Sequence, residues 1–171
     1  MRKERGNMMA KPLILFYSLQ GSTRKVAQYL SKELEIPMEE LKLKNDFKPD
    51  GISKYVFGGR QAVMGSKPPI LPVKSDLAKY DTIILGSPVW AGRFTPALKT
   101  LLEKGLLKNK RIFFYYVSGG GPGKTDGKIQ SSTKIHNTLV STYAMTSVDK
   151  DFENQKQGVL NWARKAMLDE K

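Results

Sequence analysis

Leu13-Ile14-Leu15-Phe16-Tyr17 is an unbroken apolar run introduced by Pro12, the pattern of a strand buried on both faces. A polar turn follows, and then Val26, Ala27, Leu30 and Leu34 recur at helical spacing between Thr23 and Leu34. A weaker second strand is expected within residues 37–43. Thr82 to Gly86 and Ile112 to Val117 are two more strands of the buried type. The first runs into a loop, Ser87 to Phe94, and a helix from Thr95 to Glu103. Thr95 is placed to cap that helix, with Pro96 at its first position. The second runs into a glycine-rich turn, Ser118 to Gly123, and a helix over 125–137. A short strand over 139–147 and a final helix over 153–168 complete the pattern. That helix is expected to bury Val159, Leu160, Ala163 and Met167. Between 44 and 80 the pattern is weakest. Residues 52–64 read as a helix interrupted by Gly58-Gly59, and 67–72, with three prolines, as extended loop.

Strands alternating with helices predict an α/β fold, a parallel sheet covered on both faces. We expect one domain over residues 11–171, preceded by a disordered basic extension over 1–10. The chain has 171 residues, no cysteine and one histidine, His136. Disulfides, thiolate metal sites, iron–sulfur clusters and multi-histidine metal centres are thereby excluded. His136 itself reads as a surface or core histidine. No apolar run approaches the roughly 18 residues of a membrane span, and the run at 13–17 is too short for a signal peptide. A cytoplasmic location is expected. The net charge is +13, and the first ten residues carry only two of those charges net. Such a charge speaks to partners: a nucleic acid, an anionic membrane surface or an acidic protein. No basic stripe interleaved with aromatics is present, which disfavours nucleic acid.

Ligands of parallel α/β sheets bind beyond the carboxyl ends of the strands, and three such ends carry unusual loops. Ser18-Leu19-Gln20-Gly21-Ser22-Thr23 offers hydroxyls, an amide and a flexible glycine just before a helix, whose first N–H groups are unpaired. That is an anion site. An ordinary capped turn is the alternative. Phe16-Tyr17-Ser18-Leu19-Gln20-Gly21-Ser22-Thr23 resembles the phosphate loop of flavodoxins, Ser/Thr-x-Thr-Gly-x-Thr after the first strand, with Gln20 replacing the usual Thr. The resemblance implies a three-layer flavodoxin-like sandwich with a five-stranded parallel sheet of order 2-1-3-4-5. It also implies FMN as cofactor, with its phosphate at Ser18, Gln20, Gly21, Ser22 and Thr23. Arg24 is a supplementary candidate.

In the second loop the family places an aromatic residue against the flavin ring, and Trp90 matches it, flanked by Pro88, Val89, Ala91 and Gly92. Arg93 would offset negative charge on the ring, receive an anionic substrate, or lie on the surface. In the third, the resemblance puts Ser118, Gly119, Gly120 and Gly121 at the flavin rim. The second aromatic that the family often carries there is absent, so one flavin face is expected to be open. A rival reading takes 118–125 as a P-loop-like nucleotide site, because Ser118-x-x-x-x-Gly123-Lys124-Thr125 approaches that motif, with Asp149 as its acidic partner. Tyr55, Phe57, Gly58, Gly59, Arg60 and Gln61 would cover the flavin or line a substrate pocket, or simply pack.

Two jobs suit these loops. One is electron transfer to a redox partner protein. The other is an FMN-dependent NAD(P)H oxidoreductase passing electrons to a quinone or other small acceptor. The basic surface favours an acidic partner or anionic NADPH, and predicts a less negative reduction potential than that of acidic flavodoxins.

Overall fold

The computed structural model describes residues 11–45 and 65–168. The expected helix over 52–64, with Tyr55 to Gln61, lies outside them, as do residues 1–10.

The strands are β1 (Leu13–Phe16), β2 (Met38–Glu40), β3 (Thr82–Trp90), β4 (Arg93–Phe94), β5 (Arg111–Ser118) and β6 (Thr138–Thr146). The helices are α1 (Ser22–Leu34), α2 (Pro96–Glu103), α3 (Thr125–Thr133) and α4 (Val148–Arg164), with 3₁₀ turns at Leu77–Lys79 and Lys165–Met167. Five strands form a parallel sheet in the order β2-β1-β3-β5-β6, and β4 pairs antiparallel with the end of β3. This is the flavodoxin-like order the sequence predicts, with one short strand added.

The alternation along each strand builds the layers. Ile14 and Phe16 of β1 join Phe113, Tyr115 and Val117 of β5 under α1 and α4. Leu13, Leu15 and Tyr17 join Ile112, Phe114 and Tyr116 under α2 and α3. Both faces are covered, so the central strands have no polar side to show and read as continuous apolar runs.

Several boundaries differ from expectation. The segment over 87–90 is not loop, because β3 continues through Pro88 to Trp90, pairing Pro88 with Val117 of β5. The Gly86 carbonyl accepts from Tyr17 N–H (3.0 Å). Pro88, two residues on, faces the same side beyond the end of β1, where a missing N–H forfeits no ladder bond. Thr95 has cap geometry and Pro96 opens α2, but the Thr95 side chain makes no cap bond. Its hydroxyl lies 3.0 Å from the Ser87 hydroxyl, which also accepts from Thr95 N–H at 2.9 Å. Helix α3 stops at Thr133, and His136 sits half-buried in the turn before β6. Helix α4 begins at Val148 rather than 153, with a kink at Asp151. Val159, Leu160 and Ala163 are buried as expected, while Met167 lies in the following 3₁₀ turn, only partly buried.

Candidate functional site

The loop between β1 and α1 is held from three directions. The Ser18 Oγ accepts from the N–H of Gly21 (3.1 Å) and of Arg24 (3.3 Å), leaving its own proton to donate elsewhere. Gly21 has φ +102°, a left-handed turn suited to glycine. The Tyr115 hydroxyl donates to the Thr23 carbonyl (3.0 Å), crossing from β5 over Gly86, where any Cβ would collide with the Tyr115 ring. Burial pushes the Tyr115 phenol well above its ordinary pKa, so it stays a donor. Arg24 forks onto Glu40, with Nε to Oε2 at 3.1 Å and Nη2 to Oε1 at 2.7 Å. Arg24 is therefore spent on β2 and does not line the cavity beside the loop.

That cavity has a volume of about 540 Å³. Ser18, Leu19, Gln20, Ser22 and Thr23 line one end, and Pro88, Val89, Trp90 and Ala91 the other, with Ser118 and Gly119 between the strand ends. The size falls in the ordinary range for small-molecule sites, about 300–1,000 Å³. Thr23 is only 1% exposed, and its Oγ1 has no hydrogen-bond partner. The N–H groups of Ser22 and Thr23 open α1 and lack intrahelical acceptors. Unused donors thus lie beside one end of this cleft, where a phosphate would satisfy them. Among the described residues no lysine or arginine lines the cavity, and Asp149 is the charged side chain in its wall.

Trp90 is fixed edge-on against Tyr17, with ring centroids 5.7 Å apart and planes at 87°. Ala91 and Gly92 have φ of +49° and +70°, and Trp90 pairs with Arg93, so the segment is a two-residue hairpin of the type I′ kind. Gly92 accepts from Lys124 N–H (3.0 Å), and Gly123 packs backbone to backbone against it. The loop after β5 therefore braces the hairpin.

This use of residues 122–125 weighs against the P-loop-like reading. Lys124 N–H goes to Gly92, and both Thr125 N–H and its hydroxyl go to the Pro122 carbonyl. Those two N–H groups are therefore not free for a nucleotide phosphate. Four predicted contacts also lie outside the lining. Gly21 serves the turn and Gly92 the hairpin, while Gly120 and Gly121 sit beyond Gly119. Arg93 makes no ion pair among the described residues. Leu19, Val117, Val148 and Asp149 line the cavity without having been predicted to. The weak signal for the last two was the doubtful strand before them, whose end β6 brings beside β5.

A family model described as NADPH-dependent FMN reductase matches residues 12–165. Among solved structures, the chain is similar to a flavoprotein from Lactobacillus acidophilus NCFM in complex with FMN. The identity is 24%, covering 84% of this chain and 97% of that one, with a TM-score of 0.68. A protein from Bacteroides eggerthii DSM 20697 matches at 17% identity over 92% and 98%, with a TM-score of 0.70. A flavodoxin from the domain Archaea matches at 13% over 92% and 99%, with a TM-score of 0.54. These likenesses show the fold. No helix among the described residues is long and apolar enough to cross a membrane.

Proposed function

The chain belongs to the NADPH-dependent FMN reductase family, and from that premise we propose that it is an FMN-dependent NAD(P)H oxidoreductase. The observation that carries the reading is one continuous cavity joining unused donors at Ser18–Thr23 to the ring of Trp90. The phosphate is held by the hydroxyls of Ser18, Ser22 and Thr23, the Gln20 amide and the free N–H groups that open α1. Neutral donors and the helix N-terminus carry the affinity, because among the described residues no basic side chain lines the site. The L. acidophilus relative, solved with FMN, supports the same cofactor.

When bound, FMN supplies the acceptance of hydride and its release as electrons. This chain's residues position it and shape access. Tyr17 fixes the Trp90 ring, which offers a flat apolar wall. Leu19, Val89 and Val117 keep water from that end, and Ser118 and Gly119 present backbone at the rim. Asp149 repels a second anion and suits neutral hydroxyl groups. The nicotinamide of NAD(P)H would enter on the Trp90 side of the same cavity.

The test is a visible absorbance spectrum of the purified protein with added FMN, followed by oxidation of NADPH and NADH with a quinone acceptor. Flavin binding with turnover supports the reading. Flavin binding without turnover on either nucleotide, alongside fast electron exchange with a partner protein, makes the chain a carrier instead. A colourless protein that fails to take up FMN overturns both.

A further inference from the structure

Among the described residues, three of the six large exposed hydrophobic side chains and a group of five cations lie away from the cavity, at the other end of the sheet. The turn before β5 (residues 104–110) and the turn before β6 (134–137) are stitched into one platform. Asn109 N–H donates to the His136 carbonyl (2.8 Å), Lys110 N–H to the Asn137 Oδ1 (3.0 Å), and the Asn137 amide to the Leu107 carbonyl (2.9 Å). Gly105 and Asn109 have positive φ, which keeps the first turn tight. Leu107 is fully buried as its anchor, and the neighbouring Leu106 points outward, 51% exposed. Ile135 on the second turn is 53% exposed. Leu168, whose carbonyl accepts from Arg111 at the start of β5, is 57% exposed.

Single exposed aliphatics are common and mean little. Here three of them share one pole with Lys104, Lys108, Lys110, Arg111 and Lys134. Neither turn contains an acid. Among the described residues the acids near that pole are Glu33, Glu35 and Asp81, at the end of α1 and before β3, and Glu103 at the end of α2, which is taken up by Lys67, Lys99 and Ser132.

We propose that this pole is a docking face for an anionic phospholipid surface, with the lysines on the headgroup phosphates and Leu106 and Ile135 inserted among the acyl chains. Cations near such a surface contribute about 1 kcal/mol each, and an apolar insertion converts loose attraction into a fixed pose. Nucleic acid fits less well. The turns hold no aromatic on which a base would stack, and aliphatic tips gain nothing from a phosphodiester. An acidic protein fits less well too, because the cores of protein interfaces are depleted in lysine and built on aromatics and arginine. The strands are parallel, so the eight residues of β5 put the platform about 26 Å from the cavity mouth. The docked protein turns its site toward the aqueous side.

The test is co-sedimentation of the full chain with vesicles of phosphatidylcholine alone or mixed with phosphatidylglycerol. Pelleting with the anionic vesicles only, reversed by salt, is expected. The pairs Lys108→Glu with Lys134→Glu and Leu106→Ser with Ile135→Ser each weaken it by about tenfold or more. Lys124→Glu with Lys128→Glu, at the cavity end, leaves it within about twofold, since screened charges act only over about 10 Å. FMN uptake by each variant reports that it folds. Three results overturn the proposal: no anionic binding, equal binding to neutral vesicles, or equal loss from both lysine pairs. Capture by an acidic protein without vesicle binding also overturns it.

Discussion

Thr23 is a hydroxyl held at a cost until something binds it. A buried, unpaired polar group costs about 1–3 kcal/mol, and its Oγ1 has no partner. Thr23→Val should therefore leave the ligand-free protein as stable or more stable, by up to about 1 kcal/mol in urea denaturation. FMN affinity should fall by about tenfold to a hundredfold in a fluorescence titration, the loss of a hydrogen bond to a charged group. A merely structural threonine would move stability instead. Sequence alone marked this residue, because a hydroxyl at the start of a helix after a buried strand is a recognisable anion site. It could not show that Arg24, the nearest cation, is occupied. That depended on Glu40 of β2, a strand whose three residues carry almost no periodic signal. Glu103 is a second case decided by tertiary partners. Burial works against its ionised form, but Ser132, Lys67 and Lys99 outweigh it and hold its pKa below the ordinary 4.5. Its stabilisation is present at neutral pH and is lost as the pH falls from about 4.5 through the lower folded-state value. Glu103→Gln should be less stable than the parent near neutrality, with the gap closing on acidification in denaturation curves.

At the scale of elements, the hairpin from Trp90 to Arg93 and the turn before α3 act together. Gly123 has φ +58°, and a Cβ there would come within 2.6 Å of the Gly92 Cα, backbone that has nowhere to go. Gly123→Ala should cost about 1–3 kcal/mol and weaken FMN binding through the displaced hairpin, read by denaturation and flavin titration. This hairpin is where sequence reading fell short. Pro88 and Gly92 both carry loop signals, yet Pro88 lies in β3 where its missing N–H is harmless, while Gly86, read as strand, is present to let Tyr115 pass. Each was a tertiary reason, invisible in a window of a few residues. The early start of α4 had the same character. By contrast β1, α1 and β5 were legible because each is long or uniform enough for its own periodicity to decide it. The loops at their ends marked most of the cavity wall in advance.

The whole molecule is polarised by the parallel sheet, which sends every strand end to one pole and every strand start to the other. Its net charge of +13 is a field felt by any anionic substrate. For the proposed oxidoreductase, kcat/KM with NADPH should fall by about threefold or more from low to high salt, and less with NADH, which lacks one phosphate. Equal or absent salt dependence in steady-state assays would assign no role to the field. The charge was half-readable: the sequence showed how much there was, and only the fold showed which cations share a pole. The two tryptophans are placed in different settings as well. Trp90 stands in the cavity wall on Tyr17. Trp162, on the inner face of α4, is buried against Phe113 and Tyr143, its indole N–H donating to the Ser141 hydroxyl at 2.9 Å. Intrinsic fluorescence from this chain therefore comes as two separable signals, one reporting whether the cavity is filled and the other whether the fold is intact, and a Trp90→Phe variant isolates the second.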